Sequence, residues 1–170
     1  MRQATLLFLI DEEKILLALK KRGFGMGKWN GVGGKPNEGE SIDQTAIREC
    51  QEEINVTPIL LSKAAELSFY FPKTKPKWDQ QVTVYRCDEW KGIPKETEEM
   101  APKWFNFSDI PYQQMWADDK FWLPKVLNGD FVEAEFYFDE SNAVIKQKVK
   151  IIAKGNNFNC RLIPQDFKKL

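Results

Sequence analysis

Between Gly34 and Val56 the chain reads GKPNEGESIDQTAIRECQEEINV. Glu40, the pair Arg48-Glu49 and the pair Glu52-Glu53 follow Gly34 at fixed intervals. A helix advances about 100° per residue, so Glu49 and Glu53 lie one turn apart on one side, with Glu52 beside them. Arg48 and Glu52 form an i,i+4 pair, and Arg48, which cannot lose its charge, is placed to orient Glu52. Ala46, Ile47, Cys50 and Ile54 make the adjoining apolar stripe. The carboxylates are therefore expected at the edge of the buried face. Acids one turn apart repel by a few tenths of a kcal/mol, roughly, even in water. A divalent cation offsets that repulsion, and clustered oxygen ligands without His or Cys suit Mg²⁺ or Mn²⁺. An isolated E-x-x-E-E on a helix is more often a solvated acidic face. The full spacing changes those odds: six fixed residue types, each near one in fifteen, recur by chance at roughly 10⁻⁷ per start position.

The rest of the composition removes competing chemistries. The 170 residues contain no histidine, which excludes a Ser-His-Asp or Cys-His relay and any imidazole metal site. Acid and base work falls to carboxylates, lysines, tyrosines or metal-bound water. The 25 Lys+Arg balance 25 Asp+Glu, which argues against a general nucleic-acid binder. Cys50, Cys87 and Cys160 form no CxxC pair, so a zinc knuckle is out; small buried hydrophobes in a reducing cytosol are the expectation. Leu6–Ile10 is too short for a signal segment or a membrane span and suits a buried strand.

The elements that must carry the acids follow from pattern. Gln3–Ile10 and Lys14–Lys20 read as a hairpin. A basic, glycine-rich loop, Lys20 to Lys28, comes next, then a short extended piece, Trp29–Val32. Ser41 and Gln44 make a capping box, and the helix they open runs to Ile54, where Asn55 stops it. Thr57–Phe71 and Gln80–Cys87 are strand candidates around a Pro72–Pro76 turn, and Trp90–Pro102 reads as a charged loop. Lys103–Phe107 looks extended. Asp118–Asn128 reads as a helix with Pro124 as a local fault, and Phe131–Phe138 and Ala143–Ile152 as strands. This order implies an α/β (α+β) domain with a mixed sheet between helices, over residues 1–153, and a tail from 154 to 170 of unassigned role.

The Gly34–Val56 stretch resembles the Nudix box, G-x5-E-x7-R-E-U-x-E-E-x-G-U, where U is bulky and aliphatic. Cys50 stands at an aliphatic position, and Asn55 replaces the second glycine, where Asn is the next best residue for a left-handed helix end. The runs KKRGFGMGKWNGVGGK and MWADDKFWLP are similar to the branch of that family that acts on oxidised purine nucleoside triphosphates. The resemblance covers about Gln3 to Ile152.

That resemblance implies the Nudix fold and hydrolysis of a nucleoside triphosphate to monophosphate and pyrophosphate by water attack at phosphorus. It implies that Glu49, Glu52 and Glu53, the Gly33 carbonyl and Glu99 hold Mg²⁺ or Mn²⁺, with Arg48 in the catalytic set. Glu53 and Glu99 both stay open as the base. Lys20, Gly34 and Lys35 are expected at the phosphates. Asn30 offers a donor and an acceptor to a purine edge, and Trp116 a face for stacking. Asp118 and Asp119, read alone, look like a helix cap; by resemblance they face the purine. Two close carboxylates in an apolar pocket cannot both ionise cheaply, so one pKa rises, and a protonated Asp donates while its ionised neighbour accepts. Such a pair matches 8-oxo-guanine, and 2-oxo-adenine if the proton moves. Thr5, Phe24, Phe69 and Met100 line the remainder. A monomeric cytoplasmic enzyme acting on a small nucleotide is expected, with no stable nucleic-acid or membrane partner. Alternatives are another nucleotide substrate (methylated purine triphosphate, unmodified dGTP, ADP-ribose, capped RNA) or a non-catalytic nucleotide-binding module.

Overall fold

The computed structural model describes residues 1–155 and 161–162. Its described elements run β1 (Arg2–Asp11), β2 (Lys14–Lys20), β3 (Trp29–Asn30), α1 (Ile42–Ile54), β4 (Thr57–Tyr70), β5 (Gln80–Lys91), β6 (Met100–Asn106), α2 (Asp119–Leu127), β7 (Phe131–Phe138), β8 (Val144–Ala153) and β9 (Arg161–Leu162). The sheet is mixed. β1 runs parallel to β5 and β4 parallel to β7, while β5–β4 and β7–β8 are antiparallel. β2 leaves β1 after the Asp11–Lys14 hairpin, pairs along its whole length with β6, and holds β3 through Leu19–Trp29. β9 pairs with β4 at Leu61 and Ser62.

Both faces of the sheet are covered, which is why β1 reads as a near-continuous apolar run rather than an alternating one. Ala4, Phe8 and Ile10 pack with Trp122, Leu123 and Val126 of α2. Leu7 and Leu9, one residue out of phase, pack with Ala46, Ile47, Cys50 and Ile54 of α1. The sheet thus lies between two helices, as the sequence predicts. Cys50 and Cys87 are buried free thiols whose burial pushes both above the usual thiol range, so they act as small hydrophobes. Cys160 and most of the tail lie outside the described residues.

α1 starts and stops where the residues dictate. The Gln44 amide donates to the Ser41 side chain at 3.2 Å, and the Ser41 amide to the Gln44 side chain at 2.9 Å. Asn55 ends the helix at φ 61°, its N–H bonded to Gln51 O. Elsewhere the boundaries move. β5 extends through Lys91, because Glu89, Trp90 and Lys91 pair with the start of β4. β6 begins at Met100, because β2 offers a full-length partner from Lys14 to Lys20. Pro102 is tolerated because β6 pairs on one side only, leaving a position that needs no donor. The charged loop is therefore shorter than expected. α2 runs through Pro124, which lies inside the helix and leaves the Lys120 carbonyl without its i+4 donor, while buried Trp122, Leu123 and Val126 hold the helix down.

A side chain with a Cβ costs about 1 kcal/mol or more in the left-handed region, and Asn less than most. Asn55→Ala is expected to lower stability by about 1 kcal/mol and Asn55→Gly to leave it equal or higher, read from urea midpoints at constant m.

Candidate functional site

A cavity of about 900 Å³ opens between β1, the glycine-rich loop and the residues preceding α2. Thr5, Lys20, Phe24, Asn30, Gly33, Gly34, Lys35, Glu49, Glu53, Phe69, Glu99, Met100, Trp116, Asp118 and Asp119 all line it. The structure thus gathers most of the residues singled out from the sequence. Arg48 and Glu52 are not among the lining residues.

Arg48 organises the acid cluster. Its Nε and Nη2 grip the two Glu40 oxygens at 2.7 and 2.9 Å. Nη1 donates to Glu49 Oε1 at 2.8 Å and to Glu52 Oε2 at 3.0 Å, and Nη2 also reaches the Lys35 carbonyl at 3.0 Å. The sequence expectation named Glu52 as the partner; the bidentate partner is Glu40. That grip, with the Asn37 amide and the Thr45 hydroxyl, holds Glu40 down to about 2. It also staples the loop before α1 onto the helix. Glu52 departs from the expected core edge: its side chain is 59% exposed. It sits about 60° around the helix from Glu49, on the outer side.

Glu49 and Glu53 point inward. Glu49 lies against Gly34 so closely that a Cβ there would collide with its carboxylate. Burial pushes Glu49 up, opposed by Arg48. Glu53 is 3% exposed, and its Oε2 accepts the Gly33 amide at 3.0 Å. Lys20 Nζ lies 3.6 Å from both Glu53 Oε1 and Glu99 Oε2, too far for strong hydrogen bonds. Burial therefore raises Glu53 to about 7. Glu99 faces outward to the Arg22 guanidinium at 2.9 Å, which holds it below the usual carboxylate range. Among the described residues these acids do not converge on a single point. They are held by Arg48, Lys20 and Arg22 instead. The donor set fits a hard divalent cation: oxygen ligands only, on a buried acid whose charge the protein compensates incompletely.

Asp118 and Asp119 are each 2% exposed. Neither caps α2: Asp118 makes no capping bond and accepts Trp122 Nε1–H at 2.9 Å, and Asp119 accepts the Trp116 amide at 3.1 Å. Burial raises Asp118 to about 6. Burial and the neighbouring Asp118 charge raise Asp119 well above the carboxylate range, against a weaker pull from Lys28. The bond from Trp122 favours the ionised form of Asp118, while burial and the adjacent Asp118 charge favour the protonated form of Asp119. Trp116 carries Phe24 stacked at 5.1 Å and Lys28 Nζ at 5.3 Å from its ring centre. Asn30 spends its Oδ1 on the Gly31 amide at 2.8 Å.

Sequence reasoning missed Arg22, Phe71, Trp78 and Phe138 as lining residues. Phe71 sits two residues past Phe69, which the resemblance places at the cavity, and Phe138 two past Phe136 in the same predicted strand, so strand alternation could have found them. Trp78 sits in a loop, where no periodicity marks it.

The chain belongs to the NUDIX family of hydrolases, whose domain matches residues 1–126. Members of this family act with divalent metal ions. The chain is 40% identical over 145 residues to the oxidized purine nucleoside triphosphate hydrolase of Danio rerio, covering 85% of this chain and 92% of that one. It is 36% identical over 149 residues to the protein of the same name in Mus musculus, covering 88% and 94%. In structure it is similar to a mutator MutT protein from Bacillus halodurans, with TM-score 0.78, 24% identity and coverage of 88% and 98%, a likeness of fold.

A folded carboxyl raised above its unfolded value binds more protons in the native state, so it costs stability as pH rises from about 4 through the folded value. Asp119→Asn keeps the acceptor for the Trp116 amide and removes that cost. The variant is expected to be more stable than wild type at pH 8, the gain shrinking toward pH 4, in urea titrations across pH.

Proposed function

We propose that this protein hydrolyses oxidised purine nucleoside triphosphates, with 8-oxo-dGTP and 2-oxo-dATP as substrates, to the monophosphate and pyrophosphate. The observation that carries this reading is one cavity lined both by a buried aspartate pair with no capping role and by inward-facing box glutamates. The names of the 36–40% identical relatives support the same substrate class.

Asp118 and Asp119 read the base edge. Protonated Asp119 donates while ionised Asp118 accepts, which suits the N7–H and O8 of 8-oxo-guanine; with the proton exchanged, the pair suits 2-oxo-adenine. The Asn30 amide nitrogen, whose oxygen is engaged by Gly31, is left to donate to the base. Trp116 stacks on the base, and Thr5, Phe24, Phe69 and Met100 close around it.

Glu49, Glu52, Glu53 and Glu99, with the Gly33 carbonyl, would hold Mg²⁺ or Mn²⁺. When bound, such an ion neutralises phosphate charge and makes the attacking water more acidic. Lys20 and Lys35 meet the phosphates, and the backbone at Gly34 allows their close approach. Arg48 orients Glu49 and Glu52. Glu53, held by the Gly33 amide, and Glu99 are the two candidates for accepting the water's proton. We place the activity in residues 1–153, in a monomer working on free nucleotides in the cytoplasm. The balance of 25 basic and 25 acidic residues supports the absence of a stable nucleic-acid partner. Among the described residues no helix is long and apolar enough to cross a membrane.

The test is pyrophosphate release from 8-oxo-dGTP, 2-oxo-dATP and dGTP with Mg²⁺. Wild type is expected to prefer the oxidised bases, to stop when EDTA removes the ion and to recover when Mg²⁺ is restored. Asp119→Ala removes a buried hydrogen bond to the base and is expected to lower kcat/KM for 8-oxo-dGTP about a hundredfold, with dGTP affected far less. Absence of pyrophosphate from 8-oxo-dGTP contradicts the reading.

A further inference from the structure

Five aromatic side chains close into a ring on the cavity. Phe24 meets Trp78 edge to face at 4.8 Å, and Trp78 meets Phe71 at 5.4 Å. Phe71 stacks on Phe138 at 4.7 Å and 9°, Phe138 meets Trp116 at 6.4 Å, and Trp116 stacks back on Phe24 at 5.1 Å. All five line the cavity that also holds Asp118 and Asp119.

The members of this ring differ in how firmly they are held. The loop carrying Trp78 is pinned at several points. Asp79 Oδ1 accepts the Phe71 amide at 2.8 Å across the loop's neck, and the Trp78 amide bonds to Lys75 O at 3.0 Å. Lys75 Nζ sits 4.9 Å from the Trp78 ring centre and donates to the Glu140 carbonyl and Asn142 Oδ1 in the β7–β8 turn. Phe24 is the contrasting case. It alone of the five is exposed, at 49%, and it stands between Gly23 and Gly25, both at positive φ. Around Gly23 and Gly27 there is open space where a side chain would stand. The loop carrying Phe24 is itself closed, by the Met26 amide on Gly23 O and the Lys28 amide on Gly25 O, both at 3.1 Å, so a withdrawal of Phe24 is a rotation of its half-exposed side chain into solvent, and the more enclosed Trp78 is the wall that stays.

We propose that Trp78 is a further substrate-contacting, specificity-determining residue: a purine enters where Phe24 parts from Trp78 and is then enclosed by both. The inference rests on the oxidised-purine reading above and adds a residue that reads a different property. An aromatic wall senses the size and flatness of a base, not the donors and acceptors on its edge. Trp78 therefore selects fused-ring bases as a class, and the aspartates select the oxidised form within that class.

The experiment measures kcat and KM for 8-oxo-dGTP and dGTP, and the inhibition constant of inorganic pyrophosphate, in wild type, Trp78→Ala and Trp78→Phe. Pyrophosphate has no base and reports the integrity of the phosphate-binding residues. Loss of the wall in Trp78→Ala is expected to raise KM about tenfold for both purines and to leave kcat and pyrophosphate inhibition unchanged. The ratio between the two purines stays as in wild type, and Trp78→Phe restores KM. An unchanged KM in Trp78→Ala overturns the proposal. So does a parallel weakening of pyrophosphate, which would mark Trp78 as a loop support only. Wild-type protein that does not turn over 8-oxo-dGTP contradicts the substrate reading itself and removes this inference with it.

Discussion

Carboxylates taken out of water must be compensated, and this molecule does so in two ways along one cavity. In the acid cluster the compensation is cationic. Arg48 donates five hydrogen bonds, four of them to Glu40, Glu49 and Glu52, and Lys20 stands 3.6 Å from Glu53 and Glu99. In the aspartate pair it comes from hydrogen bonds, Trp122 Nε1–H on Asp118 and the Trp116 amide on Asp119, with a weaker pull of Lys28 on Asp119. In the first arrangement Glu53 stays well above the usual carboxylate range, and in the second burial still raises both aspartates.

The fold serves these two arrangements by bringing backbone close to carboxylate. Glu49 fits only because Gly34 has no side chain, and position 33 admits only glycine because the Thr5 carbonyl stands where a Cβ would be. Gly34 is held by β1: the Thr5 amide bonds to Gly34 O at 2.8 Å, and the Gly34 amide reaches the Thr5 hydroxyl at 3.3 Å. The strand supplies one wall of the cavity and α1 the acids, and the Arg48–Glu40 grip fixes the loop between them. The Gly33 amide on Glu53 links the same loop to the last turn of the helix.

What the sequence disclosed follows from how local the governing physics is. The Ser41 capping box, the Asn55 end and the Glu49–Glu53 register depend on neighbours a few residues away, and all three stand as read. The ends of β5 and β6 depend on partners in β4 and β2, so the residues alone placed them wrongly. Glu40 was visible as a box residue, but its role as the bidentate partner of Arg48 needed the loop's path. Asp118 and Asp119 looked like a helix cap from composition alone; only burial and the bonds from Trp122 and Trp116 separate a buried pair at the cavity from a cap. Trp78 carried no local signal, since it acquires its neighbours through the pinning of its loop.

The claim on which the functional account turns is the protonation of the aspartate pair. Carbon-13 chemical shifts of the Asp118 and Asp119 carboxyl carbons, followed from pH 4 to 9, measure it directly. The account predicts two separated steps belonging to the pair, the lower near 6 and the upper higher still, so that the pair keeps a proton well above the pH at which ordinary aspartates have lost theirs. Both carboxyls titrating near the ordinary aspartate value of about 4, and both ionised at pH 7, would contradict it.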